Sequence, residues 1–87
     1  MNYKIVLSGQ AEKDLEKINA SKLKPAAYKL LEILQKNPLQ TPPRYEKLSG
    51  NLKGSFSRRI NKQHRLVYQV FEDTQVVKVL RMWTHYE

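Results

Sequence analysis

The chain changes its hydrophobic period once, and a proline-rich stretch marks the place. Three of its four prolines fall between Asn37 and Pro43, where fixed φ angles and missing N–H groups suit neither a helix interior nor a central strand. Before that stretch, apolar residues recur at helical spacing: Ala11, Leu15 and Ile18, then Leu23, Ala27, Leu30, Leu31 and Leu34. After it the period is two, in Phe56/Arg58/Ile60 and Leu66/Tyr68/Val70, and Val76 to Trp83 adds a third, mostly apolar run.

Local signals divide each half further. Tyr3 to Leu7 reads as a short strand, and Ser8 is placed to cap a helix that carries Ala11, Leu15 and Ile18 on one face. Ser21 is placed to cap a second helix, with Pro25 in its first turn and Asn37-Pro38 at its end. The connection at Asn19-Ala20-Ser21 is short, which makes the two helices antiparallel. In the second half, Asn61 to Gln63 and Glu72 to Gln75 are the turns of an antiparallel meander, with a short extra strand around Tyr45 to Leu48. The expected fold class is therefore α+β: an N-terminal strand and two antiparallel helices packed on one face of a mostly antiparallel twisted sheet. At 87 residues the chain forms one domain, 1–87.

Charge supplies the first functional clue. The net charge is +8, and the segment from Arg44 to Arg65 alone carries Arg44, Lys47, Lys53, Arg58, Arg59, Lys62 and Arg65 against Glu46. Such a cluster keeps a protein soluble, and it also collects polyanions, of which nucleic acid is the foremost specific case. The longest apolar run is three residues, too short to span a membrane. Cysteine is absent, which removes disulfides, thiolate nucleophiles and cysteine zinc sites, and makes a reducing cytoplasm the default location.

The candidate chemistry lies in the same segment and at the C-terminus. A three-residue turn at Asn61 to Gln63 sets Ile60 opposite His64 and Arg59 opposite Arg65, so two guanidinium groups share one side of the sheet. Like charges so placed repel each other unless an oxyanion or a carboxylate such as Glu46 or Glu72 lies between them. Trp83-Thr84-His85-Tyr86 puts a histidine and two aromatics where chain ends are usually polar and frayed. For phosphodiester chemistry without a metal, a carboxylate base, an imidazole acid and one or two arginines form a sufficient set: Glu46, His85, Arg65 and Arg59. No glycine-rich phosphate loop, paired metal-binding carboxylates or Ser/His/Asp arrangement competes with them. The parity of the last hairpin decides the face of His85: an odd turn puts it on the side of Arg65, an even turn on the other.

The motifs Tyr45-Glu46-Lys47-Leu48, Ser57-Arg58-Arg59-Ile60-Asn61, His64-Arg65-Leu66-Val67-Tyr68 and Trp83-Thr84-His85-Tyr86 resemble the YoeB/Txe family of bacterial toxins, within the RelE/ParE superfamily. The resemblance runs over essentially the whole chain. It implies a RelE/YoeB-like microbial ribonuclease fold and a type II toxin-antitoxin toxin that cleaves mRNA at the ribosomal A site and so inhibits translation. By position, it implies that Glu46 is the general base, His85 the general acid, Arg65 the transition-state stabiliser and Tyr86 a positioning group. Arg59, Arg58, Lys47 and Lys53 become the RNA and phosphate contacts, with no cofactor and no metal. The implied partners are a YefM/Phd-type antitoxin, the ribosome with its 16S rRNA and message, and promoter DNA bound through the antitoxin complex; the free toxin is either a monomer or a homodimer. Two other readings share the basic sheet: a non-catalytic RNA- or ribosome-binding module, and a ParE-like inhibitor of DNA gyrase.

Overall fold

The computed structural model describes residues 2–83. Its elements follow the order β1 (Lys4–Leu7), α1 (Gly9–Asn19), α2 (Lys24–Lys36), β2 (Tyr45–Lys47), β3 (Phe56–Arg59), β4 (Arg65–Phe71) and β5 (Val76–Arg81). The five strands form one sheet in the order β1-β5-β4-β3-β2. Pairing is antiparallel from β2 through β5, and β1 runs parallel to β5. The expected α+β architecture is therefore present, with one parallel pair at the sheet edge.

The helical stripe does what its spacing dictates. Ala11 and Ile18 of α1 and Ala27, Leu30 and Leu34 of α2 are buried against Leu66 and Tyr68 of β4 and Val77 and Val79 of β5. Each large aliphatic side chain removed from water in this layer contributes about 1.5–3 kcal/mol. Ser8 caps α1 as expected, its Oγ accepting from the Ala11 N–H at 3.0 Å. Ser21 acts one step earlier than expected. Its Oγ accepts from Leu23 N–H at 3.0 Å and donates to the Ile18 carbonyl at 2.8 Å, which shapes the interhelical turn. The N-cap of α2 is Leu23, without a side-chain bond, and Pro25 sits in the first turn where its missing N–H costs nothing.

Two local devices set the faces of the sheet. Asn61 builds the β3–β4 turn by accepting from the N–H groups of Gln63 (2.9 Å) and His64 (2.7 Å) through Oδ1, while Ile60 N–H donates to the His64 carbonyl at 2.9 Å. That turn fixes Arg59 opposite Arg65 and Ser57 opposite Val67. The second device is a β-bulge between β4 and β5. Pairing is regular from Phe71↔Val76 to Tyr68↔Val79, and then Val67 pairs with Arg81, so that Leu80 is the extra residue. The four-residue turn from Glu72 to Gln75 would by itself send Arg81 and Trp83 to the helix side. The bulge reverses that parity: Arg81 is exposed on the face that Val67 shares with Ser57, and Met82 drops into the core.

Candidate active site

The site is assembled where β2, β3 and β4 meet on the face away from the helices. Strand alternation puts Glu46 opposite Ser57 and, one strand further, Arg59 opposite Arg65. Arg65 is the centre of the group. Its Nη1 donates to Glu46 Oε1 at 3.2 Å and to Ser57 Oγ at 3.2 Å. The Arg65 side chain is only 17% exposed, whereas that of Glu46 is 46% exposed. The arginine is thus held in the sheet surface while the carboxylate remains open to an incoming group.

A concavity of about 390 Å³ lies over these residues, lined by Pro43, Arg44, Glu46, Ser57, Arg59 and Arg65. Three guanidinium groups and one carboxylate around a single opening give it a positive balance suited to a phosphodiester, and a guanidinium fork adds geometric selectivity for phosphate oxygens. Arginine stays protonated at neutral pH, so these three can stabilise charge but cannot move protons. Glu46 is the group in this concavity able to take a proton.

The site residues expected from sequence separate into four sets, the last of them Arg58 alone. Glu46, Arg65 and Arg59 come together. Lys47 and Lys53 do not join them, because Lys47 follows Glu46 by one residue and pairs with Phe56, which the pleat places on the other face. Both lysines line a separate groove of about 340 Å³ with Leu48, Gly54, Ser55 and Phe56. His85 and Tyr86 lie outside the described residues. Sequence reasoning missed Arg44 and Ser57 as members of the site. Both were legible by parity, since Arg44 precedes Glu46 by two and Ser57 precedes Arg59 by two.

Arg58 requires a correction. The expected phosphate contact is ruled out by burial: Arg58 is 0% exposed and lies on the helix side of β3. Its Nε donates to Tyr68 Oη at 3.0 Å, its Nη2 to the carbonyls of Pro38 (2.9 Å) and Gln40 (2.8 Å), and its Nη1 to the Pro43 carbonyl. The guanidinium also lies over the rings of Tyr45 (5.1 Å) and Tyr68 (5.9 Å). A buried cation is tolerated here because carbonyl oxygens and aromatic faces supply the negative potential that water would otherwise give. Tyr68 completes the network by donating to the Pro38 carbonyl at 2.9 Å. Burial pushes the Tyr68 phenol above its usual range, against the pull of the Arg58 charge in the opposite direction. Arg58 thereby pins the 38–43 stretch, which leads directly into Arg44 and Glu46.

Comparison with known proteins agrees with this fold. Residues 10–86 match the family described as YoeB-like toxins of bacterial type II toxin-antitoxin systems. Among characterised relatives, the toxin HigB-1 of Vibrio cholerae is 46% identical over 55 residues, 56% of this chain and 58% of that protein. The toxin YoeB of Escherichia coli is 36% identical over 52 residues, 60% of this chain and 62% of that protein. The matched stretches thus span roughly three fifths of those relatives' lengths. A solved structure aligns more completely: the YoeB-YefM heterotetramer of Staphylococcus aureus contains a chain of 32% identity and TM-score 0.81, covering 99% of this chain and 100% of that one.

Proposed function

From the premise that this chain belongs to the YoeB-like toxins of bacterial type II toxin-antitoxin systems, we propose that it is a ribosome-dependent endoribonuclease that cleaves mRNA in the A site. The observation that carries the proposal is the placement of Arg65 between Glu46 and Ser57, across from Arg59, in one open positive concavity. Glu46 takes the proton of a ribose 2′-hydroxyl, and the 2′-oxygen attacks the adjacent phosphorus. Arg65 and Arg59 stabilise the additional negative charge of the phosphorane-like transition state. The bond from phosphorus to the 5′-oxygen breaks, and His85 protonates the departing oxygen while Tyr86 helps to position the reacting groups. The products are a 2′,3′-cyclic phosphate, or the monophosphate formed by its hydrolysis, and a 5′-hydroxyl. The nucleophile belongs to RNA, which excludes DNA as substrate, and this residue set operates without a metal.

The partners follow from the same charge. A +8 protein is steered to ribosomal RNA with strongly salt-dependent binding. Lys47 and Lys53, in their own groove, extend the positive surface for flanking nucleotides. Its antagonist is an acidic YefM/Phd-type antitoxin segment that folds over the basic face; the Staphylococcus aureus relative is found in a heterotetramer with YefM. The complex with antitoxin binds promoter DNA, the free toxin forms a homodimer, and the site of action is the cytoplasm. Among the described residues, no helix is long and apolar enough to cross a membrane.

The test is primer extension on a defined message in a purified translation system, with and without ribosomes, for wild type, Glu46→Ala and His85→Ala. Cleavage within the A-site codon that requires ribosomes and falls by orders of magnitude in both variants supports the proposal. An intact message with wild type refutes it and directs the next assay to DNA supercoiling. Cleavage unaltered in Glu46→Ala removes the carboxylate from the mechanism.

A further inference from the structure

Helix α1 carries a buried carboxylate that bonds the chain just past the end of β5. Asp14 stands on its buried stripe, three residues after Ala11 and four before Ile18, and is 1% exposed. A buried carboxylate needs hydrogen-bond donors, and Asp14 has three. Its Oδ2 accepts from the backbone N–H groups of Met82 (2.9 Å) and Trp83 (3.2 Å), and its Oδ1 accepts from the Gln10 side-chain amide at 2.9 Å. Ser8, at the start of the same helix, donates from Oγ to the carbonyl of Leu80, the bulge residue, at 2.8 Å. Strand pairing stops at Arg81. At Met82 and Trp83 the main chain is held by Asp14 of α1.

The same short segment is gripped from its other side. The Trp83 ring stacks on the His64 imidazole, with centroids 4.0 Å apart and planes inclined by 25°. His64 closes the β3–β4 turn and immediately precedes Arg65. In sequence, His85 follows Trp83 by two residues. The position of Trp83 is set by Asp14 through the backbone and by His64 through the ring.

We propose that Asp14 is a positioning residue: by binding the N–H groups of Met82 and Trp83 it fixes the chain two residues before His85, and so supports the general-acid step assigned to that histidine. The proposal rests on the ribonuclease reading above. Asp14 touches no substrate and transfers no proton. Its effect is on the rate of the chemical step, where a misplacement of about 1 Å costs on the order of 100-fold, and not on the affinity for RNA.

Trp83 is the chain's single tryptophan, so intrinsic fluorescence reports the anchor directly. Wild type, Asp14→Ala, Asp14→Asn and His85→Ala are compared in single-turnover cleavage of a defined message on purified ribosomes, in Trp83 fluorescence anisotropy and in thermal melts. The expected result for folded Asp14→Ala is a lower Trp83 anisotropy and a cleavage rate reduced about 10- to 100-fold at unchanged half-saturating ribosome concentration. Asp14→Asn, which retains one acceptor oxygen, falls between it and wild type. Adding Asp14→Ala to His85→Ala causes no further loss, since no acid remains to be placed. Three results overturn the proposal: a rate loss no greater than the unfolded fraction, a full additional loss on the His85→Ala background, or an unaltered rate with a loosened Trp83. If Asp14→Ala fails to fold, Asp14→Asn alone and in combination with His85→Ala gives the same outcomes. An inactive wild type overturns the ribonuclease reading and this proposal together, whereas an active wild type matched by the Asp14 variants overturns only the positioning role.

Discussion

Arg58 and Arg59 are neighbours in one strand and have opposite fates. Arg58 is sealed on the helix side of β3, where the carbonyls of Pro38, Gln40 and Pro43 and the Tyr68 hydroxyl absorb its donors. Arg59, one residue on, is exposed on the open side, where it faces Arg65 across the strand pair and lines the concavity with Glu46. The side chains are chemically identical, so the difference lies wholly in the pleat. One arginine organises the 38–43 stretch that leads into the site, and the other is available to an anion. Positive charge in a sequence therefore does not locate an anion site until the face of each residue is known.

The largest effect that separates the two is on stability. Arg58→Ala removes the guanidinium bonds to three carbonyls and a phenol oxygen, leaving those of Gln40 and Pro43 without their buried donor, and is expected to cost on the order of 3–5 kcal/mol in urea unfolding. A loss below about 1 kcal/mol, the scale of an ordinary surface change, would break the comparison. Next in size, Arg59→Ala is expected to slow ribosome-dependent cleavage about 10- to 100-fold, equivalent to about 1.4–2.7 kcal/mol of transition-state stabilisation. Its melting temperature holds or rises, because the change removes a like-charge cross-strand pair worth up to about 1 kcal/mol. Wild-type cleavage in Arg59→Ala would show that exposure alone does not make this arginine functional.

Tyr68→Phe probes the partner of the buried arginine, with an expected loss of about 1–2 kcal/mol at neutral pH. The folded-state phenol is pushed up by burial, so its contribution is present below the unfolded value of about 10 and is lost as pH rises through the folded value. Wild type should consequently lose stability above about pH 10 more steeply than Tyr68→Phe, and parallel alkaline limbs in urea titrations would contradict the assignment. The smallest expected effect is on salt dependence. Removing one phosphate contact lowers the slope of log affinity against log salt by about 0.7 for a single strand. Filter binding to RNA should show that change in Arg59→Ala and no change in Arg58→Gln. A reduced slope in Arg58→Gln would show that the buried arginine reaches RNA after all.

Much of this arrangement is legible in the sequence. The helical stripe, the Ser8 cap, the short strand at Tyr45 and the three-residue turn that opposes Arg59 to Arg65 all follow from local chemistry and period. Even the burial of Arg58 was written in the alternation, since it occupies the middle of the apolar set Phe56/Arg58/Ile60; its charge argued the other way, and the alternation prevailed. The burial of Asp14 was signalled in the same manner, by a carboxylate on the apolar stripe of α1. Ser21 was harder to read, because a serine that shapes the turn before a helix looks the same in sequence as one that caps it.

Local order along the chain settles the division into two helices and a meander, the cross-strand pairing of Arg59 with Arg65, and the concentration of cationic side chains around Glu46. These depend on neighbours a few residues away, where period, turn chemistry and capping act. Three further matters are settled by the packing of distant elements. The carbonyls of the 38–43 stretch had to fold back onto β3 before Arg58 could be buried without a carboxylate. The bulge at Leu80 reversed the parity of β5 and sent Met82 inward. Asp14 and Met82 are separated by 68 residues, and no local rule pairs a helical carboxylate with the end of a strand so distant. Such contacts are chosen by the packing of whole elements, which brings together donors and acceptors that the linear order keeps apart.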